Sequence, residues 1–217
     1  MRQALSKEKL LEVYGHLAKQ YDLQHALITA NTDQLGRRLL VEKAVRGGDD
    51  VLDCGAGTGA TGVLTAEKVG DLGRVTLFDL SDDMLAIARQ KAAGEKLLGR
   101  LTFKVGDMEN LPFADDSFDV VLSTYSLCPL FDPIKGAQEM YRVCKPGGNV
   151  GAAHSTTPRN SIVKWLADSV ESIAWHFPWL SMGCRPVSVL PALKAARAEV
   201  IFVKKSGPNG VRLEHRI

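Results

Sequence analysis

Three aspartates, Asp53, Asp79 and Asp107, each close an apolar run of the chain, VLD, VTLFD and KVGD. Acids at the ends of successive strands in an open α/β sheet face the crevice in which such sheets hold ligands. The first acid leads into a ladder of small residues, Gly55-Ala56-Gly57-Thr58-Gly59-Ala60. Glycine accepts positive φ and lets backbone approach a ligand, and the N–H groups opening the next helix favour a phosphate or a carboxylate. The spacing also fits the dinucleotide pattern, so the loop alone leaves two cofactor classes open.

The three acids narrow the choice. Asp53 beside a pyrophosphate would be repulsive, and it suits a ligand ammonium better; its alternative task is to cap a nearby turn. Asp79 can accept both hydroxyls of a ribose, in NAD or in any other nucleoside. Asp107 can accept from an adenine amino group. An ammonium, a ribose diol and an adenine amine are together the polar groups of S-adenosylmethionine. A nicotinamide-dependent oxidoreductase would leave Asp53 and Asp107 without a task.

On the other side of this ligand an acceptor would need a pocket and, for a hydroxyl or an activated carbon, a base. His154, at the carboxyl end of the fifth expected strand, has a side chain that titrates near neutrality and is the first candidate base. Its alternative is a hydrogen-bonded structural role. His25 is the second candidate, and His176 sits in an aromatic cluster that reads equally as packing. Tyr14, Tyr21, Tyr125 and Trp165 offer aromatic faces for a planar or cationic acceptor, with core packing the competing use of Trp165.

These residues need elements to hold them. Strand-like and helical segments alternate, which calls for a parallel sheet covered by helices on both faces. Helices are expected at about 6 to 20, 32 to 46, 58 to 69, 82 to 97 and 133 to 144. Strands are expected at 50 to 54, 74 to 79, 101 to 105, 118 to 123 and 148 to 154. Ile162, Trp165, Leu166, Val170 and Ile173 recur at helical spacing. A helix at 188 to 197 and strands at 199 to 204 and 210 to 215 follow, the strands split by a Gly-Pro-Asn-Gly turn signal. The expectation is a Rossmann-like, doubly wound seven-stranded sheet, mostly parallel, with an antiparallel C-terminal hairpin. One domain spans 1–217: lid helices at 1–47, a cofactor-binding core at 48–155, and an acceptor-side helix with the closing hairpin at 156–217.

Composition fits this reading. With 217 residues, 45% apolar and 24% charged, the chain can bury one substantial core. A net charge of +2 with no basic run among aromatics argues against nucleic acid. No window approaches the roughly 18 apolar residues of a spanning helix, and the charged N-terminus is unlike a signal peptide, so a cytoplasmic protein is expected. The four cysteines show no metal-ligand spacing and read as buried thiols.

At VLDCGAGTG, LFDLSDDMLAIARQKA, VGDMENLPFADDSFDVVLSTYSL and EMYRVCKPGG the chain resembles class I S-adenosylmethionine-dependent methyltransferases, over residues 50 to 155. The resemblance implies that Asp53, Gly55, Ala56, Gly57 and Gly59 line the methionine end. It implies that Asp79, with Leu80 and Met84, holds the ribose, and that Asp107 with Met108 holds adenine. Ser123 would lie beside the methyl donor. Through VYGHLAKQYDLQHALIT, DQLGRRLLVEKA and, more loosely, WLADSVESIAWHFP, the chain is similar to the ubiquinone/menaquinone biosynthesis C-methyltransferases. That likeness places Tyr21 and Arg38 in a lid over the cofactor. Two departures fall on the acceptor side. The quinone group's Phe-Gly-Leu-Arg-Asn is replaced by a segment opening Tyr125-Ser126, and its acid near the end of the fifth strand by His154.

The expected activity is methyl transfer from S-adenosylmethionine to carbon or oxygen of a small lipophilic or aromatic acceptor, with Tyr14, Tyr125, Ser126, His154 and Trp165 around it. N-methylation of an amine such as a phospholipid headgroup is the alternative, and a non-catalytic cofactor-binding regulator is the alternative of another class. The segment from Ile162 to Leu180 leaves room for a peripheral membrane contact, although its polar face lacks a cationic bias. Either a monomer or a homodimer is compatible with the sequence.

Overall fold

The computed structural model describes residues 4–18, 20–29, 32–155, 184, 187–196, 198–199, 204–206 and 211–215. The expected amphipathic helix, with Trp165 and His176, lies outside them. Five strands, β1 (Asp50–Cys54), β2 (Arg74–Asp79), β3 (Leu101–Val105), β4 (Phe118–Thr124) and β5 (Cys144–Ser155), form the central sheet. They run parallel in the order β3-β2-β1-β4-β5. Strand order reverses beside β1, so the crevice opens where β1 and β4 diverge.

The expectation of one doubly wound sheet of seven strands is corrected to a parallel, helix-covered sheet of five, at whose β5 edge two further short strands pair antiparallel. The C-terminal segments β6 (Lys204–Ser206) and β7 (Val211–His215) add only short antiparallel ladders at the free edge of β5. β6 begins where the expected strand 199 to 204 was to end, and its three residues are at the short limit of usual strand lengths. The pattern of the sequence marked a turn there but carried no information on how much chain on either side would pair.

Strands β1 and β4 are buried along almost their whole length, as strands covered on both faces must be. One face packs against α3 (Thr32–Ala44), α4 (Ala60–Val69) and α5 (Asp82–Gly94), through Leu40, Val41, Ala66, Val69, Leu85 and Ala88. The opposite face takes α6 (Pro133–Val143) and α7 (Leu190–Ala195), through Ala137, Met140, Val143 and Leu193. The starts of these helices are written locally. Ser81 accepts from Met84 N, and Asp132 accepts from Ile134 N and Lys135 N at 3.0 Å with Pro133 following.

Two helices stand over the carboxyl ends of the strands, α1 (Lys7–Leu17) and α2 (Tyr21–Thr29). The single helix expected at 6 to 20 is shorter, and α2 follows it over residues to which the sequence reading gave no element. α4 begins at Ala60 rather than 58, because Gly59 at φ 79° is left-handed and starts the helix behind it. Among the described residues no helix is long and apolar enough to cross a membrane.

Candidate functional site

A cavity of about 690 Å³, its open mouth included, lies above the carboxyl ends of β1, β2, β3 and β4 and beneath α1 and α2. Gly55, Gly57, Asp79, Leu80, Met84, Asp107 and Met108 line it together with Tyr14, Tyr21, Tyr125 and Ser126. These eleven candidates come from five separate parts of the chain.

The glycine loop is tied to β2 by backbone. Gly55 N and Ala56 N both donate to Phe78 O, at 2.7 and 3.1 Å. Gly55 sits at φ 67°, and a Cβ there would stand 2.2 Å from Ser126 Cβ, so only glycine fits. Ser126 in turn donates to Cys54 O at 2.9 Å and lies 2.6 Å from Ser123 Oγ. Ser123 is therefore buried behind Ser126 rather than on the cavity wall, and Ala56 and Gly59 also stand behind it.

Asp79 accepts Gly57 N on Oδ2 at 2.8 Å and Ser81 N on Oδ1 at 2.9 Å. Each oxygen keeps a second lone pair, and a vicinal diol needs that arrangement. Burial pushes its carboxyl up, against the pull of the Ser81 and Gly57 N–H groups. Asp107 accepts Glu109 N at 2.9 Å and pairs with Lys7 of α1. Burial would raise this carboxyl, but the Lys7 ammonium and the Glu109 N–H outweigh it and hold it below the usual range.

Asp53 is placed differently from the expectation. It is fully buried beneath the loop, and it does not line the cavity. Neither oxygen accepts a well-formed hydrogen bond among the described residues, although the Gly62 N–H lies near enough to pull the carboxyl down. Burial lifts its carboxyl to about 7, and the positive charge of Arg37 opposes that rise. A carboxylate so poorly satisfied would gain from a nearby cation.

Arg38, expected in the lid, is exposed on α3 and away from the cavity. Its neighbour Arg37 points inward and is 6% exposed. The sequence reading missed it, although Asp33, Gly36, Arg37, Leu40, Val41 and Ala44 recur at helical spacing, and that phase puts Arg37 rather than Arg38 on the buried face. Lys7 had no local signal at all, since its partner lies 100 residues away.

α2 is fastened to the core by Asp22, which accepts Thr58 Oγ1 at 2.6 Å and pairs with Lys91. The rings of Tyr14 and Tyr21 lie 6.0 Å apart at 59°. Burial raises the phenols of Tyr14, Tyr21 and Tyr125, so they stay protonated at neutral pH. Pro129 and Leu130 complete the apolar wall, and Cys128 behind them is 2.8 Å from Cys184, sulfur to sulfur. His25 is on α2, and His154 is on β5 opposite Arg212 of β7. Their side chains, like Trp165, are outside the described ones.

The lining fits S-adenosylmethionine on the donor set itself, with a doubly anchored carboxylate for a diol and a second acid beyond it, while the buried Asp53 lies beneath the glycine loop. Comparison with known proteins agrees. The chain is 36% identical to the ubiquinone/menaquinone biosynthesis C-methyltransferase UbiE of Legionella pneumophila strain Paris over 153 residues, 70% of this chain and 61% of that one. It is 33% identical to UbiE of Geotalea daltonii over 176 residues, 81% and 72% of the two chains. It thus spans only about three-fifths of the Legionella relative's length. Its fold is shared with a SAM-dependent methyltransferase from Aquifex aeolicus, at a TM-score of 0.64 and 20% identity over 84% of this chain and 89% of that one. Residues 2–171 match the profile of the ubiE/COQ5 methyltransferase family, and the chain belongs to that family.

Proposed function

We propose that the chain transfers the methyl group of S-adenosylmethionine to carbon or oxygen of a small lipophilic, aromatic acceptor of the quinone-precursor type. One observation carries this reading. One cavity is lined both by carboxylates, Asp79 and Asp107, and by an apolar, aromatic set, Tyr14, Tyr21, Tyr125, Pro129 and Leu130. A polar nucleoside and an apolar ring would meet there, beside Gly55 and Ser126. The sequence similarity to UbiE proteins supports the same acceptor class.

The donor, when bound, supplies an already activated methyl group. The protein then has to align the acceptor in line with it and keep water out. Asp79 and Asp107 hold the nucleoside, and the tyrosines and Leu130 shape the acceptor side. Because its phenols stay protonated, Tyr125 acts as wall or hydrogen-bond partner and not as base. We assign proton removal from an acceptor hydroxyl to His154, at the end of β5.

The test is incubation of the protein with labelled donor and a prenylated hydroquinone that lacks its ring methyl group, with the product identified by mass spectrometry. Methylated hydroquinone is the expected product. Label only on ethanolamine lipids would replace this reading with N-methylation, and donor binding without turnover on either acceptor would favour a regulator.

A further inference from the structure

Arg37 is a buried cation that the donor and acceptor readings leave unused. Its Nη1 donates to Thr61 Oγ1 at 2.9 Å and to Thr124 Oγ1 at 2.5 Å, and those two hydroxyls are 2.7 Å from each other. Its guanidinium carbon lies 5.0 Å from the centroid of the Tyr125 ring. Its Nε is 3.5 Å from Asp33 Oδ2, one turn back on α3, and both side chains of this pair are almost wholly buried. Thr61 opens α4 behind the glycine loop, whereas Thr124 and Tyr125 line the cavity. One planar group therefore touches the donor loop's helix, the end of β4 and the acceptor wall.

Tyr125 needs such support. It has φ 59°, a conformation that costs a non-glycine residue on the order of 1–3 kcal/mol unless its surroundings fix it. Its N–H donates to Ala153 O at 2.7 Å, and from above the ring is held by the guanidinium. A planar fork suits this position, because it can bond the threonine pair at its edge while its face stacks on the ring. A lysine could keep the charge near Asp53 but not the stack.

We infer that Arg37 is a positioning residue for methyl transfer, holding Thr124 and the strained Tyr125 as a fixed acceptor wall against the donor loop. Arg37 does not line the cavity and touches neither reactant, so its influence passes through these two residues. This inference rests on the acceptor-side reading of Tyr125 given above. A wall displaced by about 1 Å can slow transfer about 100-fold without loosening the donor.

The experiment compares Arg37→Lys and Arg37→Met with the unaltered chain in three measurements: calorimetric binding of S-adenosylhomocysteine, amide hydrogen exchange across 123–127 in that complex, and turnover of the prenylated hydroquinone. Arg37→Lys is expected to bind S-adenosylhomocysteine within about threefold of the unaltered chain, to exchange its amides at 124–126 at least tenfold faster, and to lose about tenfold in kcat. Arg37→Met extends the loss to about 100-fold. Unchanged protection at 124–126 overturns the inference. So does a parallel fall of thermal midpoint, donor binding and kcat in Arg37→Lys, since that marks a residue of the scaffold only. If the unaltered chain does not methylate the hydroquinone, the acceptor reading fails alone, and the exchange measurement still decides the role of Arg37.

Discussion

On the proposed reading, the donor side and the acceptor side of the cavity are built in different ways. At the donor end, backbone does the holding: Gly57 N and Ser81 N fix Asp79, and Gly55 N and Ala56 N reach Phe78 O. At the acceptor end, side chains hold side chains: Arg37 on Thr61, Thr124 and Tyr125, Tyr14 on Tyr21, Cys128 beside Cys184. A backbone cradle needs a few glycines at fixed spacing and tolerates little else. A side-chain wall can be rebuilt residue by residue, and this chain departs there from the quinone group's Phe-Gly-Leu-Arg-Asn. On that reading the shared chemistry sits on the rigid side and acceptor choice on the other.

Gly55→Ala attacks the rigid end most directly. Its Cβ would fall 2.2 Å from Ser126 Cβ at a φ of 67°, so donor binding should be abolished and stability should fall by about 3 kcal/mol or more. Adding Ser126→Gly should recover part of the stability, because it removes the clash and leaves only the backbone strain. Urea unfolding and calorimetry with S-adenosylhomocysteine read both effects. If Gly55→Ala bound normally, the cradle would not be the rigid end.

Asp79→Asn comes next. It keeps the shape but turns one acceptor into a donor facing Gly57 N or Ser81 N, and it removes charge-assisted bonds to a diol. Affinity for S-adenosylhomocysteine should drop about 100-fold, on the order of 3 kcal/mol, with acceptor KM little changed. A larger effect on the acceptor than on the donor would reverse the assignment of the two ends.

Asp53 offers a smaller effect with a definite sign. Its carboxyl titrates at about 7 in the folded chain, above the value near 3.9 of an unfolded aspartate. Between those two values the folded state holds a proton that the unfolded state has released. The stability this gives is present in full below about pH 4 and is lost as pH rises through 7. Asp53→Asn does not titrate, so its advantage over the unaltered chain should grow by about 2 kcal/mol from pH 5 to pH 8, read by urea unfolding without ligand. A pH-independent difference would mean that Asp53 is solvated or already paired.

Lys7→Met should matter least. The Lys7 ammonium is about half exposed, and such ion pairs contribute at most about 1 kcal/mol. S-adenosylhomocysteine affinity should change by less than about threefold, and the change should shrink further in high salt. A large loss would move part of the donor end onto the lid.

The same division decides what could be read from the chain before its fold. The loop, the acids that close β1 and β2, and the starts of α5 and α6 were legible, because the hydrogen bonds that fix them run within a few residues or between adjacent strands. α2 was not, since nine residues with Asp22 bonded to Thr58 and Lys91 are fastened by contacts 36 and 69 positions away. Arg37 against Arg38 turned on one step of helical phase, about 100°, which the buried face of α3 settles. The two short C-terminal strands depend on the free edge of β5 for their pairing, and nothing in their own residues states where that edge ends.

By itself the sequence determined that a backbone cradle followed by acids at strand ends would form, because glycine torsions, caps and apolar runs act over short distances. Only the tertiary structure decided that Arg37 would press on Tyr125, that Lys7 would reach Asp107, and that Asp53 would lie buried under the loop. Each of those contacts joins segments whose meeting depends on how helices pack across the sheet, and packing is a property of the assembled surfaces rather than of any one stretch of chain.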